Sequence, residues 1–333
     1  MIGMNVGDNA QIPGCTTKKR ILETSSGCDS FDVLCGGGLT NGSIVLIDEM
    51  KSRHYGSYLV QYFLAEGLHN NHTCLLADPF FDKEKSIIKK IPSKKESVDK
   101  IEDMRSPQIP SNDRMDIAWR YSGMKTIESE LKSTKENAFD FSKSLESPAV
   151  EVYESDSYRD LYSRISEIIK TNEVHTKGSG RGGPKKNLLR IVIQNIDSPV
   201  WKDSDDIGKF LILLRTLLRN SFAIVYLITN SSQISTSKWK TIESFGDVHV
   251  QLVGFDEDEK KSFRHLGNVH GYFRLKNLPR LSSVGFHTPP ILDLIFEAQS
   301  AKGFQIKIMH LPPALEDPSP QKNQSGSCQK IDF

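Results

Sequence analysis

The stretch GGGLTNGSIVLIDEMKSRHYGSYLVQYFLAEG, from Gly36 to Gly67, decides how the fold is read. A Gly-rich turn leads into the apolar run Ser43–Asp48, and a loop follows. From Ser57 onward, Tyr58, Leu59, Tyr62, Phe63, Ala65 and Leu68 recur at helical spacing. A run that is apolar on both faces belongs to a parallel sheet covered by helices. Strand, loop and helix in this order are the frame of a P-loop, written G-x-x-x-x-G-K-[ST]. There, glycines let backbone N–H groups close around phosphate oxygens, a Lys bridges the terminal phosphates and a hydroxyl binds Mg²⁺.

The centre of the frame is altered. Aligning the loop by the apolar stripe of the helix puts Ser57 at the hydroxyl position and Gly56 where the Lys belongs. Met50 and Tyr55 then replace the two glycines. Each charge-assisted hydrogen bond lost this way costs roughly 1.5–3 kcal/mol, so ordinary P-loop hydrolysis is not expected. Met50, Lys51, Arg53, His54, Tyr55, Gly56 and Ser57 are read as a degraded phosphate loop or a subunit interface. Lys51, Arg53 and His54 are the side chains able to approach an anion. The second acidic site is also weak. The apolar run Ile191–Ile193 ends in the neutral pair Gln194–Asn195, and Asp197 arrives late, as a displaced carboxylate or a turn residue before Ser198–Pro199.

Working outward, further apolar runs at 72–78, 188–197 and 221–229 predict central strands, and 207–220 a strongly apolar helix. Residues 157–170 predict an amphipathic helix with Leu161, Ile165, Ile168 and Ile169 on one face. Segments 247–255, 269–279 and 303–313 alternate more and read as antiparallel additions. The fold class expected is α/β: a RecA-like P-loop NTPase fold with a degraded Walker A loop and a mostly parallel central sheet with added antiparallel strands. The expected organisation is a flexible arm over 1–26 and a RecA-like domain over 27–313. Polar insertions lie near 82–113, 124–157 and 174–187, and a disordered tail over 314–333.

Bulk properties narrow the function. The 333 residues carry a net charge of +1, against a binder acting through an overall basic field. Five cysteines without a CxxC pair fit reduced thiols. The N-terminus lacks an apolar signal core and no apolar run is long enough to span a bilayer, so a cytoplasmic and nuclear protein with no membrane partner is expected. His69, His72 and Cys74 form the only close group of metal-ligand types, with no second ligand pair nearby, and no metal is expected. No G-x-S-x-G elbow occurs. Lys177, Arg181, Lys185 and Lys186, in a Gly-rich stretch, are candidate contacts to a phosphate backbone. Either Trp119, Arg120 and Tyr121 stack on bases, or Trp119 and Ile117 pack in a core or interface while Arg120 faces solvent.

Several stretches together resemble the Elongator subunit-four family: LCGGGLTNGSIVLIDEMK with YFLAEG, DIAWRY, LRIVIQNIDSPVW, KFLILLRTLLR, FHTPPILDLIFEAQ, IKIMHLPP and the C-terminal Ile331–Asp332–Phe333. The likeness covers roughly residues 26 to 313, and DIAWRY and MHLPP beside an altered P-loop are its most specific parts. It implies a RecA-like subunit without regular ATPase motifs and without catalytic residues of its own. The family's partners would be Elongator subunits five and six, in a hetero-hexameric ring that binds tRNA, joins the catalytic subcomplex and supports carboxymethyl-type modification of the wobble uridine. No cofactor is implied. Two alternatives are an ATPase ring subunit, with ATP hydrolysed at subunit interfaces to control tRNA release, and a regulatory factor in transcription elongation.

Overall fold

A computed structural model describes residues 12–18, 21–51, 54–82, 86–95, 131, 138–154, 156–171, 174, 186–263, 267–278, 287–289 and 291–309. The DIAWRY island, Arg53, Lys177, Arg181, Lys185 and the tail from 310 lie outside these residues.

In chain order the strands are β1 (Cys15–Lys18), β2 (Ile21–Thr24), β3 (Leu39–Thr40), β4 (Ile44–Asp48), β5 (Thr73–Ala77), β6 (Pro92–Lys94), β7 (Phe139–Ser144), β8 (Val150–Tyr153), β9 (Leu189–Ile193), β10 (Ala223–Thr229), β11 (Val248–Gly254), β12 (Gly271–Asn277), β13 (Leu294–Gln299) and β14 (Gly303–Ile308). The α-helices are α1 (Asp29–Leu34), α2 (Gly56–His69), α3 (Tyr158–Thr171), α4 (Ile207–Leu218), α5 (Thr236–Phe245) and α6 (Glu257–Ser262).

Nine strands form one sheet in the order β14-β13-β12-β11-β4-β10-β9-β5-β8. From β11 to β8 every neighbouring pair is parallel, while β12, β13 and β14 run antiparallel. All residues of β4, β9 and β10 are buried, as their unbroken apolar text demands. The four expected central strands lie in this one sheet. Segment 247–255 departs from expectation: β11 is parallel to β4 and antiparallel to β12, so it is the strand where the sheet changes sense.

Helix α3 buries Tyr158 together with Leu161, Ile165, Ile168 and Ile169, the face its periodicity predicts. It packs beside α4, and α4 beside α5. Helix α2 is buried over most of its surface because it contacts β5, β9, β6 and β14. Phe63 of α2 stacks on Tyr226 of β10, ring centroids 4.0 Å apart.

Three expectations about the periphery need correcting. The segment expected as a flexible arm carries β1 and β2, which pair antiparallel and add β3 to form a small sheet. Leu22, Thr24 and Ser26 are buried there, and polar side chains satisfied by fixed partners give no hydrophobic signal in a sequence. The polar insertions also contribute structure. Ile91 is buried, β6 pairs with β7, and β8 extends the central sheet beyond β5. Val174, placed in the third insertion, is buried and its carbonyl accepts the Phe222 N–H at 2.7 Å.

Candidate functional site

The loop 49–55 leaves the carboxyl end of β4, the middle strand of the nine-stranded sheet. The next strand in sequence, β5, lies three places away on one side, whereas β11 flanks β4 on the other. Connections diverge here, and open α/β sheets place their ligand crevices at such switch points. The Gly-rich turn, by contrast, sits before β3 at the entry to β4. Gly38 has φ of 151°, and a Cβ there would meet the Thr24 carbonyl oxygen at 2.7 Å. Its glycines allow β2 to approach closely and do not line the loop.

The loop keeps left-handed backbone at two positions without glycine: Lys51 at φ 54° and His54 at φ 59°. Lys51 Nζ reaches Asp256 Oδ2 at 3.2 Å. Tyr55 turns inward, its ring edge-on to His270 at 5.4 Å and to Phe296 at 5.1 Å, between centroids. Met50 is half-buried and its carbonyl accepts the Gly254 N–H. His54 points outward, its side chain 92% exposed. Ser57 is half-buried at the head of α2. The sequence leaves the loop open between an anion site and an interface; in the structure, Tyr55 braces the loop from within.

Two residues missed at the sequence level dominate the site. Glu49 is buried, and its Oε1 accepts the Gly56 N–H at 2.7 Å, with His54 Nδ1 3.8 Å from its Oε2. Burial raises its pKa, against the lowering effect of the Gly56 N–H and of His54. Asp48 is fully buried and accepts from Ser231 N at 2.8 Å, Ser231 Oγ at 2.7 Å and Gln251 Nε2 at 2.9 Å. Two consecutive carboxylates closing an apolar strand were the available signal.

Asp197 accepts the Thr229 hydroxyl at 2.9 Å, and burial is the main cause of its raised pKa. Asn195, at φ 49°, donates to Asp78 Oδ1 at 3.3 Å and accepts the Trp201 indole N–H through its carbonyl at 2.9 Å. The second acidic site is therefore a tied turn. A cavity of about 420 Å³ nearby is lined by Asp78, Pro79, Phe81, Asp82 and Glu154. Behind the loop the carboxyl edge is thus acidic, with Asp48 and Glu49 buried and tied to neighbouring donors, and Lys51 pairs with Asp256.

Among the candidate tRNA contacts, Lys186 is the one described. Its Nζ lies 5.3 Å from the centroid of the Phe222 ring, just before β9 begins and so at the amino edge of the sheet. His69, His72 and Cys74 do not converge: His69 Nε2 is 2.7 Å from Lys94 Nζ, His72 bonds Arg190, and Cys74 is buried. Among the described residues no helix is long and apolar enough to cross a membrane.

A family described as PAXNEB protein matches residues 9–332. Elongator complex protein 4 of Homo sapiens is 30% identical over 341 residues, covering 89% of this chain and 78% of the relative. The protein of the same name in Mus musculus is 31% identical with the same coverage. The chain belongs to the PAXNEB family. The Danio rerio member, again named Elongator complex protein 4, is 28% identical over 89% of this chain and 83% of its own length. The match spans the β1–β2 hairpin as well as the nine-stranded sheet, so the PAXNEB likeness is not confined to the altered loop.

Proposed function

We propose that this chain is a non-catalytic Elongator subunit with a RecA-like fold. In this reading it joins subunits five and six in a hetero-hexameric ring, binds tRNA with them, and supports wobble-uridine modification carried out by the catalytic subcomplex, in cytoplasm and nucleus. Family membership supports the complex. The position of β4, with β5 three strands away and β11 on its other flank, supports the P-loop frame.

One observation carries the non-hydrolytic reading. At the head of α2, where the phosphate Lys would stand, Gly56 has no side chain and its N–H is taken by Glu49. Without that Lys and with carboxylates behind it, the loop has lost the charge that polarises a terminal phosphate. It acts as a fixed structural corner of a ring subunit. Lys186, at the amino edge of the sheet, supports a tRNA contact away from the acidic carboxyl edge.

The test is copurification of the tagged chain from its own cells with mass analysis of its partners, and mass analysis of tRNA nucleosides after the gene is deleted. The proposal expects Elongator subunits and loss of carboxymethyl-type uridines. Copurification with unrelated partners and unchanged tRNA would overturn it.

A further inference from the structure

The head of α2 is closed by the chain itself. The first N–H of α2, from Gly56, goes to Glu49; the next two, from Ser57 and Tyr58, go to the carbonyls of His54 and Tyr55 at 3.2 Å each. The Glu49 side chain is only 11% exposed, and it comes from the residue directly after the strand. A helix N-terminus favours an anion, and here the chain supplies one.

A second feature ties Glu49 to the missing Lys. A Cβ built on Gly56 would lie 2.7 Å from Glu49 Oε1 and 3.1 Å from Ile47 Cγ2. A side chain at position 56 and the carboxylate of Glu49 therefore exclude each other. Position 56 is free of a side chain where the Glu49 carboxylate lies.

Resting on the reading of this loop as a former phosphate site, we infer that Glu49 is a built-in stand-in for a phosphate oxygen, holding the head of α2 closed with no ligand. The carboxylate occupies the hydrogen bond a phosphate would make and repels any second anion. The fold thus caps the head of α2 as a phosphate would, without dependence on nucleotide concentration. Gln at position 49 keeps the acceptor and so keeps the loop closed. Ala at position 49 frees the Gly56 N–H and opens room beside it.

The experiment titrates inorganic phosphate into the full-length chain, wild type, Glu49→Gln and Glu49→Ala, following the Gly56 amide resonance and the melting temperature. Wild type and Glu49→Gln are expected to be unmoved. Glu49→Ala is expected to show a saturable Gly56 shift and a rise in melting temperature of roughly 2 °C or more. An unresponsive Glu49→Ala contradicts this inference alone. A wild-type Gly56 shift equal to that of Glu49→Ala contradicts both the inference and the nucleotide-free reading. Should Glu49→Ala not fold, Glu49→Ser, which also cannot reach the Gly56 N–H, answers with the same two measurements.

Discussion

Arg190 donates through Nε to Nδ1 of His72 at 3.1 Å, and the other nitrogen of that ring lies 2.7 Å from the Pro13 carbonyl oxygen. The first bond leaves the imidazole proton on Nε2, so the second is a donation to Pro13. Arg190 also reaches Phe63 O at 3.1 Å, Thr24 Oγ1 and Ser25 O at 2.9 Å each, and lies 4.6 Å from the centre of the Phe63 ring. One fully buried guanidinium on β9 thereby fastens the N-terminal hairpin to the central sheet.

His72 makes that fastening sensitive to acid. Burial and the neighbouring Arg190 lower its pKa to about 4, against about 6.5 in an unfolded chain. Above pH 6.5 both states are neutral and the contribution to stability is complete. As pH falls toward 4, the unfolded chain takes a proton the folded chain refuses, and stability is lost. The loss attributable to His72 is about 2 kcal/mol at pH 5. His249 and His270 are shifted in the same direction, so the His72 share is read as the difference between wild type and His72→Asn in denaturant melts at pH 7 and pH 5.

Arg190→Met removes the fastening outright. Ser25 O and His72 Nδ1 lose their Arg190 donor, at about 1–3 kcal/mol for each group left unsatisfied, while Thr24 Oγ1 keeps its bond to the Gly14 carbonyl. A destabilisation of about 3 kcal/mol or more is expected in urea melts, with amides of residues 15–24 exchanging before those of β4 and β10. Equal protection of both regions would show that the hairpin is held by something else.

How far these relationships were legible depends on the kind of signal. Strands buried on both faces and the α3 stripe were readable because apolar periodicity reports burial directly: Leu161, Ile165, Ile168 and Ile169 all face the core. The β1–β2 hairpin was not, because Thr24, Ser25 and Arg190 look like surface residues until three long-range hydrogen bonds are drawn. Strand β11 misled because it pairs parallel on one side and antiparallel on the other. At the loop, the missing Lys and glycines were plain, but the role of Glu49 depends on a single 2.7 Å contact with an amide seven residues on.

Ser57→Ala should leave assembly and tRNA modification within about twofold of wild type, because a hydroxyl without the Lys is a poor Mg²⁺ site. Modified-nucleoside content of bulk tRNA reads this out. Abolished modification in an intact complex would argue for a working nucleotide site.

Neutralising Lys177, Arg181, Lys185 and Lys186 together should weaken tRNA binding by the assembled complex. The slope of log K against log salt should fall by roughly 0.7–0.9 for each true phosphate contact. The loss should be similar across tRNA sequences, since backbone contacts carry no base information. Parallel salt lines of equal affinity would move the tRNA contact elsewhere.

On the proposed reading, this subunit works with the head of α2 closed from within by Glu49. The most direct measurement is crosslinking of a photoreactive ATP analogue to the purified complex, followed by mapping of labelled peptides on this chain. The account predicts no label between Asp48 and Ser57 above that seen with excess unlabelled ATP. Label on that segment, lost when unlabelled ATP competes, would contradict it.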